Sequence, residues 1–210
     1  MNRDHVNRPP LLRSQVYDYL REKMNNGHIV SGEYINFNEI CEALEISRTP
    51  VRDALLQLQA EGFVTLLPQR GIRLNDVSLI ELKNIYEILG GLESKILKQV
   101  FPAIGAAHIV RMKKINAEML SYSSNDKFRQ YYRKNLLFHD VFLKLSQNEL
   151  AKYHITIFKQ RLFDFTKRVW GSKWRKLNYS EHIKFIELLE KGDVKTAAEF
   201  WDDEHWSFNW

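Results

Sequence analysis

One cysteine, Cys41, stands in 210 residues. A single thiol cannot close an internal disulfide, which excludes a disulfide-stapled secreted scaffold and fits a reducing cytoplasm. Cys41 lies in the short apolar stretch Phe37 to Leu44, where a small buried hydrophobe is expected rather than a reactive thiol. No apolar run reaches the roughly 18 residues that a membrane-spanning helix needs, so no membrane partner is expected. The segment Met1-Asn2-Arg3-Asp4-His5 has no apolar signal character and reads as a short polar arm. Internal repeats and low-complexity tracts are missing. So are HExxH, G-x-S-x-G and any paired carboxylates near His139, so no enzyme activity is expected. These absences describe a cytoplasmic protein without a hydrolase signature.

Charge is also scarce where an anionic partner first suggests it. The chain carries +5 overall, but residues 1–76 hold nine Lys/Arg against ten Asp/Glu, a net −1. The remaining 22 against 16 leave +6 in the second part. If the first part binds DNA, it does so through a few placed arginines rather than a basic surface.

What is present begins with Glu45-Ile46-Ser47-Arg48-Thr49-Pro50-Val51-Arg52-Asp53-Ala54-Leu55. Thr49 is a suitable helix cap, and Pro50 suits a first helical position, where a missing N–H costs nothing. Val51, Ala54, Leu55 and Leu58 recur at helical spacing and give this helix an apolar back. Arg48 and Arg52 then offer guanidinium forks from its amino end, the geometry of a major-groove reader. Upstream, Leu12, Val16, Leu20 and Met24 predict a helix from about Pro10 to Asn25, and a short helix follows from Asn38 to Leu44. Downstream, Phe63 to Leu67 and Ile72 to Leu74 read as two strands around the turn Pro68-Gln69-Arg70-Gly71. Three helices and a hairpin make a winged helix-turn-helix over residues 1–76.

Beyond Asp76 helical periodicity takes over. The spacing predicts helices at Leu79–Val100, Ala106–Leu120, Lys127–Leu145, Glu149–Val169, Tyr179–Glu190 and Val194–Ser207. About six helices make residues 77–210 an all-α bundle, and the fold class mainly α. Its basic run, Lys159, Arg161, Lys167, Arg168, Lys173, Arg175 and Lys176, is by default a solvated face. An inward Arg161 would hold an anion by bidentate bonds. The five tryptophans all lie in this part and are mostly core, with Trp201, Trp206 and Trp210 able to close a pocket or a dimer seam.

The string Gly27, Gly32, Leu44, Ser47 to Leu55, Leu58, Glu61-Gly62, Pro68 and Arg70-Gly71 resembles the GntR family of bacterial transcriptional regulators. The helical remainder is similar to the FadR-type subfamily with an FCD effector-binding domain. That similarity rests on Tyr86-Glu87-Ile88 with Leu92-Glu93, on Phe138-His139, and on Glu181-His182 with Gly192-Asp193 and Ala197-Ala198. The resemblance implies a homodimer on a double-stranded operator, most simply a repressor, modulated by a small carboxylate metabolite. Two recognition helices about 34 Å apart would suit a pseudo-palindromic site. Arg48, Thr49, Arg52, Arg70, Gly71 and Arg73 are the expected DNA contacts. Asn38 and Glu39 stand where relatives often carry a further arginine.

The resemblance also implies a divalent metal held by an aspartate and three histidines. The matching positions are Asn135, His139, His182 and His205, with zinc or nickel favoured by three imidazoles. Asn135 replaces the aspartate. The last histidine is expected at position 204, so His205 falls one residue late, about 100° around a helix. Either the helix start or a local bulge corrects this, or Glu204 serves as ligand or effector contact. The usual effector-anchoring arginine is replaced by Leu89, and Gly90-Gly91 follows, a doublet suited to a close approach by a helix or ligand. The alternatives are a DNA-binding dimer with a degenerate, ligand-free pocket and, more remotely, a metal-dependent hydrolase.

Overall fold

The computed structural model describes residues 11–122, 127–164 and 171–208. The expected polar arm, Lys167, Arg168 and Trp210 lie outside them, as do the expected helix start at Pro10 and helix end at Val169. The chain divides into two compact units, one running to Val77 and taking in Gln160 onward at the end of a later helix, the other beginning at Ser78.

In the first unit, α1 (Leu12–Asn25), α2 (Phe37–Leu44) and α3 (Arg48–Ala60) enclose a core that includes Val16, Leu20, Ile40, Val51, Leu55 and Leu58, each without solvent exposure. The Asn36 side chain caps α2 by accepting from the Asn38 N–H at 2.9 Å, a contact generally contributing about 1 kcal/mol. Glu45 takes left-handed backbone (φ 55°), and the Ile46 N–H donates to the Cys41 carbonyl, which makes the sharp turn from α2 into α3. Arg13 grips Glu61 through its guanidinium and lies over the rings of Tyr17 and Phe63, tying α1 to the end of α3.

Helix α3 starts earlier than its caps predict. Ser47 holds the cap position without a side-chain bond, and Arg48, not Pro50, is the first helical residue. Pro50 is still in the first turn, where its missing N–H forfeits no intrahelical bond. Strands β1 (Tyr34–Ile35), β2 (Val64–Leu67) and β3 (Gly71–Leu74) form an antiparallel sheet in the order β1-β3-β2. The two-residue β1 was too short to be read from sequence. It explains Gly71, whose φ is +91° and whose added Cβ would stand 2.6 Å from the Ile35 carbonyl oxygen. The backbone that Gly71 approaches closely is that of β1.

In the second unit, α4 (Leu79–Val100), α5 (Ala106–Leu120), α6 (Phe128–Leu143), α7 (Glu149–Asp164), α8 (Ser172–Glu190) and α9 (Val194–Phe200) form the expected bundle, with α7 contributing up to Lys159. Ser78 and Asp193 cap α4 and α9 by accepting from the N–H groups of Glu81 and Thr196. α5 packs on α6 and α8, while α4 packs on α6 and α9. α8 begins two turns before its predicted start at Tyr179. Trp174, Asn178, His182, Phe185 and Leu189 form one buried stripe along it, which the intervening basic residues disguise. α9 runs into a π turn, Trp201–His205, where the Trp206 N–H donates to the Trp201 carbonyl five residues back. Among the described residues, no helix is long and apolar enough to cross a membrane.

Candidate functional site

Two sets of residues carry chemistry. The first is the exposed face of the winged helix. Arg48 and Arg52 are four apart on α3, one turn along the same face, and both are exposed, as are Thr49 on α3, Arg70 at the hairpin tip and Arg73 on β3. The Arg48 guanidinium rests 5.7 Å from the centre of the Phe37 ring, a brace from the first residue of α2. Positive φ at Gln69 (+60°) and Gly71 (+91°) turns the hairpin so that Arg70 stands between its strands. Ile72 and Leu74 alternate inward with Arg73 outward. Among the described residues, no carboxylate pairs with these arginines.

The second set is buried in the bundle. His139 on α6, His182 on α8 and His205 on the π turn each bring a ring nitrogen within 4.8 Å of the others, and all three are buried. Asn135 lies one turn before His139 on α6 and is 2% exposed. The Nε2 atoms of His139 and His182 and the Oδ1 of Asn135 are buried with no hydrogen-bond partner. Native interiors rarely leave such atoms unsatisfied, and each costs about 1–3 kcal/mol. The two orphaned imidazole nitrogens lie beside a third imidazole, with the orphaned Asn135 amide oxygen one turn along α6, a donor set that could hold a metal ion.

The outer nitrogens explain the aim of the rings. His139 Nδ1 meets Glu93 Oε2 at 2.7 Å, His205 Nδ1 meets Glu181 Oε2 at 2.9 Å, and His182 Nδ1 meets Asn116 Oδ1 at 3.1 Å. Asn116 uses its amide nitrogen on the Tyr179 carbonyl, so its oxygen faces His182, which must donate. Such carbonyl and carboxylate partners fix the tautomer and turn each Nε2 inward. Aromatic rings hold the planes. His182 stacks on Phe138 at 3.7 Å, and His205 on Trp201 at 3.9 Å. Burial pushes His139 down to about 3, with Lys159 adding to the effect against the pull of Glu93. Burial also drives His182 well below its ordinary value. Both imidazoles are therefore neutral, with free lone pairs.

Glu93 is the hub behind them. Its Oε2 accepts from His139 and from the indole N–H groups of Trp201 (2.9 Å) and Trp206 (3.2 Å), and its Oε1 faces Lys159 Nζ at 2.5 Å. Burial alone would raise the Glu93 carboxyl, but Lys159 and His139 outweigh it and hold the group far below the carboxylate range. Burial lowers Lys159 in turn, opposed by Glu93.

Several expected residues stand elsewhere. Glu204 is exposed and paired with Lys184 at 2.8 Å, outside the cluster. The π turn accounts for this, because its wider winding takes up one extra residue and carries His205 inward where a regular helix would have turned Glu204. Arg161 does not enter the bundle. Its guanidinium lies against Gly62 of the first unit, within 2.8 Å of where a Cβ would be. The inward cations of the basic run are instead Lys159 and Arg175, at 4% and 1% exposure, whereas Lys173 and Lys176 are solvated. Leu89 is core, and Gly90 admits the π turn, since a Cβ there would stand 2.5 Å from Asp202 Oδ1. Gly91 meets nothing. Glu93 entered the sequence reading only within the Leu92-Glu93 pair and Lys159 only as one of the basic run, but each falls inside an apolar i, i+4 stripe, Leu89-Glu93-Leu97 and Ile155-Lys159-Phe163. That placement was the available signal.

A winged helix-turn-helix with free arginines, joined in one chain to an all-α bundle, defines a DNA-binding transcriptional regulator. Residues 12–74 match the bacterial regulatory proteins of the gntR family and residues 84–204 match the FCD domain, so the chain belongs to the GntR family with an FCD domain. It is similar to the Nta operon transcriptional regulator of Aminobacter aminovorans, 27% identical over 174 residues, which cover 82% of this chain and 81% of that protein. It is also similar to the transcriptional repressor RspR of Escherichia coli K12, 21% identical over 67% of this chain and 61% of that one. Among solved structures, a GntR regulator from Rhodococcus sp. RHA1 shares the fold with TM-score 0.68 at 17% identity, over 92% of this chain and 95% of that one.

Proposed function

We propose that the protein is a cytoplasmic homodimeric repressor that binds a pseudo-palindromic operator and is tuned by a small carboxylate metabolite received in the helical part, with no catalytic step of its own. Operator contacts are assigned to residues 1–76. Arg48 and Arg52 read base edges, Thr49 holds a phosphate, and Arg70 and Arg73 bring the wing to the backbone or minor groove. Gly71 serves the wing by shape, through its approach to Ile35. A repressor is the simplest form, and the similar RspR protein is named one.

Residues 77–210 receive the effector. Asn135, His139, His182 and His205 would hold a divalent cation, and three imidazoles with an amide oxygen suit zinc or nickel over magnesium or calcium. When bound, such an ion supplies a Lewis-acidic anchor for a carboxylate. The chain's own residues do the rest. Phe138 and Trp201 exclude water, and Glu93, Asn116 and Glu181 keep the imidazoles aimed. The observation that carries this reading is the set of buried, unpartnered atoms on Asn135, His139 and His182.

The test uses the full chain and a duplex from its own upstream region. Metal content of the purified protein, and its melting temperature with chelator and then zinc, should show a bound or restorable ion. Operator affinity should fall steeply with salt. A protein that purifies without metal and melts unchanged on adding zinc defeats the metal assignment. Salt-independent or sequence-independent DNA binding defeats the operator assignment.

A further inference from the structure

The inner cluster contains no carboxylate. Asn135 is an amide, and the other three groups are imidazoles. A divalent cation in this cradle would therefore lack the counter-charge that a ligating carboxylate provides. The nearest fully buried negative charge is Glu93, one imidazole away. It shares that imidazole by a 2.7 Å contact on Nδ1, and its other oxygen is committed to Lys159 at 2.5 Å. Glu181 stands in the same relation to His205 but is 16% exposed and reaches solvent. Water screens Glu181, whereas Glu93 is enclosed by protein, where a charge acts over a longer range.

We propose that Glu93 is the counter-charge for a cation held by the three histidines, relayed through the imidazole of His139, and that Lys159 sets how much of that charge the cation receives. Glu93 is a positioning residue in this scheme and touches no ligand itself. The proposal rests on the metal reading above and adds which group makes that site cationophilic despite Asn135. A hydrogen bond from an imidazole to a carboxylate raises the basicity of the ring's other nitrogen, and loss of such partners commonly lowers metal affinity 10–100-fold. Lys159 opposes this, since its ammonium draws on the same carboxylate. The two trends make the variants separable. Removing Lys159 releases the full charge to the cation, whereas removing both charges leaves none to relay.

Zinc alone, titrated by calorimetry into chelator-treated full-length protein, tests the scheme in the wild type, Lys159→Met and Glu93→Gln/Lys159→Met. Lys159→Met is expected to bind zinc more tightly than the wild type, although it leaves a buried carboxylate short of a partner and melts lower without metal. The double variant, in which no buried charge is stranded, is expected to bind 10–100-fold more weakly than Lys159→Met. In the metal-free proteins, nitrogen-15 NMR of the imidazoles should find His139 protonated on Nδ1 in the wild type and mixed between tautomers in the double variant. A purely structural ion pair would leave zinc affinity equal in all three, and that result overturns the counter-charge. A wild type that takes no zinc overturns the metal reading itself, and the counter-charge with it. The tautomer readout then still tells whether Glu93 orients His139.

Discussion

The two parts of this chain use charge in opposite ways. Residues 1–76 have a net −1, yet place Arg48, Arg52, Arg70 and Arg73 on the outside, with no carboxylate among the described residues holding them. The remainder carries +6, yet its telling charges are inside, with Glu93 and Lys159 locked together behind the three imidazoles. Where the partner is a polyanion arriving from solvent, isolated cations are kept hydrated and available. In the second part the polar groups are desolvated and paired from behind, with their inner ends unsatisfied, as the small ion or molecule proposed there would require. Net charge predicts neither arrangement; position decides both.

The sharpest way to break this contrast is to strand a buried charge. Glu93→Gln alone leaves the Lys159 ammonium unpaired in the core and is expected to cost about 3–5 kcal/mol in chemical denaturation. Neutralising the exposed Glu204–Lys184 pair should cost about 0–1 kcal/mol. Equal losses would erase the distinction. Acid gives the next largest effect. In metal-free protein, His139 stays neutral down to about 3 and His182 is also held well below its ordinary value, while in the unfolded chain both take protons below about 6.5. The unfolded state then binds more protons, so stability is fully present above that range and falls as the pH drops through it. The expected loss between pH 7 and pH 5 is about 2 kcal/mol for each histidine, read from denaturant midpoints.

On the outer face, Arg52→Ala should weaken operator binding by about 1–3 kcal/mol in fluorescence anisotropy and leave zinc affinity unchanged. Unaltered operator binding would remove Arg52 from the interface. The smallest effect separates twin glycines. Gly91→Ala, exposed and meeting nothing, should stabilise by about 1 kcal/mol in thermal melts. Gly90→Ala should destabilise, because its Cβ meets Asp202.

Much of this was legible in the sequence. The recognition run, the hairpin and the bundle helices follow from periodicity and turn residues, and the arginines stand exposed on the elements expected to carry them. The failures have particular causes. Strand β1 is two residues long and has no pattern of its own. The start of α3 shifted because Ser47 holds the cap position with no side-chain bond to announce it. The early turns of α8 were hidden because Arg175, though charged, belongs to the buried side of a helix whose other basic residues are solvated. The burial of Glu93 and Lys159 went unread for the same reason, since fully buried acids and lysines are rare unless paired. The pairing lies across 66 residues of sequence, invisible to spacing.

The π turn at Trp201–His205 has a consequence for how this chain could have come about and how it can be edited. A wide turn of this kind absorbs one surplus residue without displacing what flanks it, so the extra position acts as an insertion that the protein has already accommodated. Asp203, exposed on that turn, is then expendable. Deleting it should tighten the turn into ordinary helix and leave the histidine facing the same way, whereas deleting a residue from α9 would carry the whole segment out of register. The last histidine is fixed by its place around the axis, and its number along the chain is free to drift by one.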